Sequence, residues 1–230
     1  MKLKEYQGKR LFEAYGISIP MGFVISKKAL DTINMSQIHD RLDFLKNDVI
    51  LKAQILEDDR QKGNLIVKSD DKEFAKNALD IFKKIGNNEI LVEENIKVKN
   101  ELFCSLSISG VDKAPILTIS EKNKSSKKLV FNDLNNEKLR NFVKEFPVPN
   151  VLMLFAFSMY KLMIEKDCIL VEINPLAVVN LGGVDRLIAL NSNIVVDDNA
   201  LYRQDQFREL KKLQDEENEK WAFLLMKKLL

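Results

Sequence analysis

Val171-Glu172-Ile173-Asn174-Pro175 lies inside a longer apolar run, ILVEINPL at 169–176, and its reading decides what kind of chain this is. In a β-strand, residues i and i+2 project to one face. Glu172 and Asn174 can therefore turn a carboxylate and an amide oxygen toward one hard cation that also holds phosphate oxygens. On that reading the stretch is a magnesium-nucleotide site. The same residues suit a plain strand end, with Asn174 entering a turn and Pro175 closing the ladder because it has no N–H to donate. Taken alone, the five residues leave both readings open.

The remaining composition narrows the classes. Among 230 residues, 36 are Lys or Arg and 34 are Asp or Glu, for a formal net charge of +2. No basic stripe of the kind a nucleic acid requires is present, so no nucleic-acid partner is expected. The opening MKLKEYQGKRLFEAYG is charged and amphipathic, unlike a secretory signal, and a cytoplasmic location is expected. The most apolar stretch, Val151–Ile164, is interrupted by Ser158 and Lys161 and is shorter than the roughly 20 residues a membrane span needs. It predicts a buried helix and no membrane partner. Cys104 and Cys168 stand far apart within apolar strand patterns, as reduced core thiols do. His39, the one histidine, lies in a polar helical stretch where a solvated side chain is expected. Zinc chemistry and a Ser-His-Asp triad have little to work with.

Periodicity predicts the organisation. Leu3, Gln7, Leu11, Phe12 and Tyr15 share a helix face that ends at Gly16. A strand near Gly22–Ile25, a helix capped by Ser26, a helix marked by Ile38, Leu42 and Leu45, and a strand at Val49–Ile55 follow. A polar loop, Leu56–Asn64, leads to Leu65–Val67 and then to a helix striped by Phe74, Ala78, Phe82 and Ile85 and closed by Gly86. Strands are expected at Glu89–Glu93, Glu101–Ser109, Ile116–Ser120 and Leu129–Phe131, with Glu121–Lys128 as a solvated loop. Helices at Asn136–Phe146 and Asn150–Lys166 are split by Pro147 and Pro149. Strands Cys168–Ile173, Leu176–Val179 and Leu187–Leu190 form a hairpin set with Gly182-Gly183 at a turn. From about Asn199 the chain reads as helical and ends WAFLLMKKLL, either a packing helix or a docking surface. The fold class is α+β, with mixed or antiparallel sheets.

Five separated segments then agree: MKLKEYQGKRLFEAYGISIPMG, VILKAQ, ILVEENIKVKNELF, ILVEINPL and DDNALYRQDQFREL. In this order and at these spacings they resemble the nucleotide-binding part of the β subunit of succinyl-CoA synthetase. The resemblance implies an ATP-grasp fold, in which two α+β lobes hold a nucleotide between them. It places the ATP-grasp domain at residues 1–200, the smaller clamping subdomain at about 20–95 and a helical tail at 201–230, with the family's C-terminal flavodoxin-like CoA-ligase domain absent. It also implies ATP or GTP with Mg2+ as cofactors. The implied partners are an α-like CoA-binding subunit that carries a phosphohistidine and a separate ligase domain.

Residue by residue, the resemblance implies that Lys52 holds nucleotide phosphate, a task that suits an ammonium point charge. A lysine that simply snorkels from a half-buried strand is the plainer alternative. Glu93 begins the segment resembling the interlobe hinge, which binds the adenine edge and ribose. Ile96 acts there through its backbone, and Glu101 matches an acidic residue that contacts the nucleotide. Asp59, Arg60 and Gln61 align with the phosphate loop, and Glu172, Asn174 and Asn191 with the metal site.

The family's phosphate loop is glycine-rich, whereas here it reads Leu56-Glu57-Asp58-Asp59-Arg60-Gln61-Lys62-Gly63. A carboxylate about 4 Å from a phosphate charge costs on the order of 4 kcal/mol at an effective dielectric of 20, which Arg60 and Lys62 can offset in part. Asn191 stands where the family has an aspartate, and the segment between Ser109 and Asn150 is shortened. Two readings follow: an ATP-grasp subunit of an NDP-forming acyl-CoA ligase that passes phosphoryl groups between nucleotide and the partner's histidine, or a catalytically degenerate relative that binds or scaffolds. An ATP-grasp ligase joining an acyl-phosphate to an amine explains the segments less well.

Overall fold

The computed structural model describes residues 1–32, 35–46, 48–56, 65–86, 88–131 and 136–216. The order begins with α1 (Glu5–Ala14), β1 (Gly22–Ile25), α2 (Lys27–Thr32), α3 (Met35–Phe44), β2 (Val49–Ala53), β3 (Ile66–Ser69), α4 (Asp71–Ile85) and β4 (Ile90–Glu94). The four strands form an antiparallel sheet in the order β1-β4-β2-β3. Helix α4 shows how locally these elements are specified. Its start is fixed by Asp70, whose side chain accepts the Glu73 N–H at 2.9 Å. Asp71 and Glu73 occupy the first turn and Lys83 and Lys84 the last, both favourable to the helix dipole. Gly86, at φ 66°, ends the helix where a side chain would be strained. Phe74, Ala78, Ile81, Phe82 and Ile85 face inward onto Val49, Leu51, Ile90 and Val92, so this sheet has its own core.

The second sheet is built from β5 (Asn100–Ser109), β6 (Ala114–Glu121), β7 (Lys127–Val130), β8 (Cys168–Leu181), β9 (Val184–Ala189) and β10 (Asn193–Val196). Its order is β10-β8-β5-β6-β7, with β9 also on β8, and the described pairings are antiparallel. Between β7 and β8 run α5 (Asn136–Val143) and α6 (Pro149–Glu165). Pro149 opens α6 at a position where a missing N–H costs nothing. Leu152, Phe155, Met159 and Leu162 of α6, with Phe12 of α1, share a core with Leu106, Val171 and Ile173 of the sheet. A 3-10 turn, Asp198–Arg203, and a helix over residues 205–216 complete the described chain. The Trp221–Leu230 segment, read as packing helix or docking surface, lies outside the described residues.

Most predicted elements form, and the differences have physical causes. Pro175 does not close a ladder, because β8 runs unbroken from Cys168 to Leu181. On β5, Leu102 pairs with Leu176 and Cys104 with Ile173, so Asn174 and Pro175 together oppose Phe103 alone. They form a β-bulge, a place where a strand tolerates a residue without an N–H. The bulge also sits between two partners on the other edge, since β10 pairs as far as Glu172 and β9 starts at Leu176. The solvated loop expected at Glu121–Lys128 is a tight turn instead, with Lys127 and Lys128 inside β7. Strand β10 follows too closely on β9 for the sequence pattern to separate it. His39 is half-exposed, and its Nδ1 pairs with the Asp71 carboxylate rather than with water alone. Cys104 and Cys168 are free and buried, and burial pushes each thiol pKa up to about 12. No helix among the described residues is long and apolar enough to cross a membrane.

Candidate nucleotide site

Helix α1 lies where the two sheets meet, and its sequence explains its placement. Gly8, inside the helix, gives up helix propensity of about 1 kcal/mol relative to alanine. In return the backbone comes close to the segment after β9: a Cβ at Gly8 would stand 1.9 Å from Ser192 Oγ and 3.1 Å from Ser192 Cβ. The helix start is tied to both sheets. The Lys4 N–H donates to Gln7 Oε1 at 2.9 Å, and the Tyr6 N–H donates to Gln54 Oε1, just beyond β2, at 3.0 Å. The Leu3 N–H donates to the Ile194 carbonyl of β10 at 3.0 Å.

This placement buries four charges together. Glu5 and Lys9, one turn apart on α1, meet Lys52 of β2 and Glu93 of β4. Lys52 and Glu93 share a face of their sheet, because Lys52 pairs with Leu91 and Ile50 with Glu93. Lys52 Nζ donates to Glu5 Oε1 at 3.0 Å, to Glu93 Oε2 at 2.7 Å and to the Leu190 carbonyl at 2.6 Å. Lys9 Nζ reaches the same three groups, with Glu93 Oε1 at 2.5 Å, Glu5 Oε1 at 2.9 Å and the Leu190 carbonyl at 2.9 Å. All four side chains are 10% exposed or less. Burial lowers the Lys9 pKa, and its two carboxylate partners only partly restore it. For Lys52 burial acts the same way, but Glu5 and Glu93 outweigh it and hold the ammonium above its usual range.

Beside this quartet lies a polar cavity of about 320 Å³. Glu172, Asn174, Asn191 and Asn193 line it together with Ile55, Leu56 and Glu5. Glu172 Oε1 accepts a bond from Asn193 Nδ2 at 3.3 Å. Asn193 Oδ1 is buried and has no hydrogen-bond partner among the described residues. Asn174 is exposed on the bulge, and its side chain makes no hydrogen bond among the described residues. Asn191 is half-buried and bonds to its neighbours, donating from Nδ2 to the Asn174 carbonyl at 3.1 Å and accepting the Ser192 N–H at 2.8 Å. The Glu172 carboxylate and the amide oxygens of Asn174 and Asn193 form a donor set that suits a hard cation in kind.

The other predicted residues fall nearby. Ile96 packs with Val98 and Leu190 on Ala177, Val179 and Ile188, an apolar patch on the β8–β9 hairpin. Glu101, the second residue of β5, stands opposite Ala177, and its Oε2 accepts from Lys122 Nζ at 2.7 Å. Leu190 links the three regions: its side chain joins the apolar patch, its carbonyl receives both lysines, and the next residue lines the polar cavity. The structure thus brings Lys52 and Glu93 together, gathers Glu172, Asn174 and Asn191 in one cavity, and sets Ile96 and Glu101 along the β8–β9 side. Asp59, Arg60 and Gln61 lie outside the described residues. Sequence reading missed Glu5, Lys9 and Asn193. The signal for the first two was Gly8, since glycine inside a helix often marks a close approach of another segment.

Comparison with known proteins agrees with the fold. The ATP-grasp domain profile matches residues 2–124. The β subunit of ADP-forming succinate–CoA ligase from Methanocaldococcus jannaschii is 32% identical over 238 residues, covering 92% of this chain and 62% of that protein. Its counterpart from Bacillus subtilis is 29% identical over 249 residues, covering 94% and 62%. The chain therefore spans 62% of the length of each of these two relatives. Among solved structures, the dinucleotide-forming acetyl-coenzyme A synthetase 1 of Ca. Korarchaeum cryptofilum, in complex with coenzyme A and Ca-AMPCP, superposes with a TM-score of 0.67 at 14% identity. It covers 85% of this chain and 93% of that one. ATP citrate lyase from Methanothrix soehngenii gives a TM-score of 0.63 at 16% identity, covering 87% and 52%. With its profile match and its similarity to succinate–CoA ligase β subunits across most of its length, the chain belongs to the ATP-grasp domain family.

Proposed function

We propose that the chain is the nucleotide-binding part of an NDP-forming acyl-CoA ligase, holding ATP or GTP between its two sheets. The observation that carries this reading is the convergence of Lys52, Glu93, Glu172, Asn174 and Asn191 on one junction from elements far apart in sequence. Phosphoryl transfer depends mainly on positioning and charge stabilisation, so a rigid junction of two sheets with a lysine at its centre is suited to it. Ile96 and Leu190 offer an apolar surface for the base, and Glu101 a carboxylate for the ribose. Glu172 and Asn174 are the residues to hold Mg2+, which when bound neutralises phosphate charge. The phosphoryl acceptor is a histidine on an α-like, CoA-binding partner, which becomes phosphohistidine as NDP is released, and a separate ligase domain completes the conversion of a carboxylate such as succinate to its thioester. Similarity to succinate–CoA ligase β subunits and the structural likeness to CoA-dependent synthetases support this assignment.

A second reading, a degenerate ATP-grasp protein that binds or scaffolds, is favoured by one feature. The Asn191 carboxamide is engaged by its own neighbours and brings no charge to the cavity beside Glu172 and Asn174. Titration with Mg-ATP and Mg-GTP by calorimetry, alone and with the α-like partner, separates the two. The ligase reading predicts saturable binding. In Asn191→Asp the amide donor is lost and a carboxylate repelled by the Asn174 carbonyl turns to the cavity. Mg-ATP affinity then rises about tenfold, in a magnesium-dependent way. Absence of binding in both settings removes the nucleotide reading, and an unchanged Asn191→Asp removes the metal assignment.

A further inference from the structure

We propose that Glu5 and Lys9 are positioning residues of the nucleotide site, forming with Lys52 and Glu93 a neutral latch from which Lys52 reaches phosphate only by exchanging Glu5. The inference rests on the nucleotide reading of the cleft. It follows from counting donors. An ammonium has three N–H groups, and those of Lys52 meet Glu5, Glu93 and the Leu190 carbonyl at 3.0, 2.7 and 2.6 Å. Lys52 is saturated as it stands. A phosphate oxygen can bond to it only when one of the three acceptors withdraws.

The geometry selects Glu5 as the group that withdraws. Glu5 lines the cavity that also holds Glu172 and Asn174, so an incoming phosphate meets Lys52 on the Glu5 side. Glu93 lines a different cavity, of about 380 Å³, together with Tyr6, Arg10 and Phe23. Its two oxygens hold both lysines, with Oε1 on Lys9 and Oε2 shared between Lys9 and Lys52. The Leu190 carbonyl belongs to backbone fixed by the Leu190 N–H bond to the Pro175 carbonyl at 3.2 Å.

Lys9 makes the exchange affordable. Its ammonium bonds the same Glu5 oxygen at 2.9 Å, along with Glu93 and Leu190. When phosphate replaces Glu5 on Lys52, the Glu5 carboxylate keeps Lys9 and is not left as an unpaired buried charge, the outcome that makes broken buried pairs costly. Lys52 then holds Glu93, Leu190 and phosphate, and its three donors are again satisfied.

The test is a two-residue cycle in the full-length chain, read by thermal unfolding and by calorimetric titration with Mg-ATP. Glu5→Gln removes the carboxylate that competes for Lys52 and leaves the cluster one positive charge in excess. Mg-ATP affinity is expected to rise about five- to tenfold while the unfolding temperature falls. Lys9→Met leaves a negative excess, and affinity is expected to fall by about tenfold or more. Glu5→Gln/Lys9→Met is neutral again, with affinity within about threefold of wild type and an unfolding temperature well above that expected from adding the single effects. A purely structural cluster predicts instead that affinity falls in every variant in step with lost stability, and that outcome overturns the exchange. Additive losses in unfolding temperature overturn the latch itself. A wild-type chain that binds no Mg-ATP removes the nucleotide reading and the exchange with it, while the unfolding cycle still decides the latch.

Discussion

At the residue scale, side chains chosen for their chemistry could be named from the sequence only where neighbouring residues marked them. Lys52, an ammonium on an otherwise apolar strand, and Glu172, a carboxylate beside an exposed amide, break the pattern around them and are legible. Glu5 and Lys9 break nothing, because charges at i and i+4 on a helix are usual at a surface. Their burial arises from β2 and β4, far along the chain, and its one local trace is Gly8 between them, a glycine inside a helix. Gly8 gives the sharpest test at this scale. An alanine there gains helix propensity and needs Ser192 Oγ to rotate, after which Ser192 Cβ and Ile194 Cδ1 stand at 3.1 and 3.3 Å. Gly8→Ala is therefore expected to change stability by less than about 1 kcal/mol. Gly8→Val, whose branches cannot be accommodated by one rotation, is expected to cost about 2–3 kcal/mol in urea unfolding and to weaken Mg-ATP binding by moving Lys9 away from Leu190. Equal stability of the valine and alanine variants would show that α1 does not press on this segment.

At the scale of elements, legibility follows where the stabilising interactions are. Helix α4 announces itself, because its apolar stripe, acidic first turn, basic last turn and closing glycine all lie within one segment. Asp70→Ala is expected to lower stability by about 1 kcal/mol, the usual worth of an N-cap, as a shift of the urea midpoint at constant slope. An unchanged midpoint would mean that α4 is held by tertiary packing alone. Strand β8 was less legible, because Pro175 reads as a stop when only the chain itself is considered. What permits it is the unequal count on β5, one residue against two, together with the gap between β10 and β9. Both belong to partner strands. The bulge has a functional consequence, since it carries Asn174 to the surface of the cavity while Glu172 remains in the regular ladder.

At the scale of the molecule, the two sheets have separate cores among the described residues, and there α1 joins them through ions rather than through a continuous apolar seam. Such a junction resists separation and yet can trade partners, because a charged group displaced from one partner can be taken up by another. A nucleotide bound there should order elements of both sheets at once. Hydrogen–deuterium exchange of the full-length chain with and without saturating Mg-ATP tests this central claim most directly. The nucleotide reading predicts slower exchange in peptides covering residues 49–56, 90–101 and 172–193 together, with little change in α6. No protection in any of these segments, or protection confined to one sheet, would contradict a nucleotide held between the two.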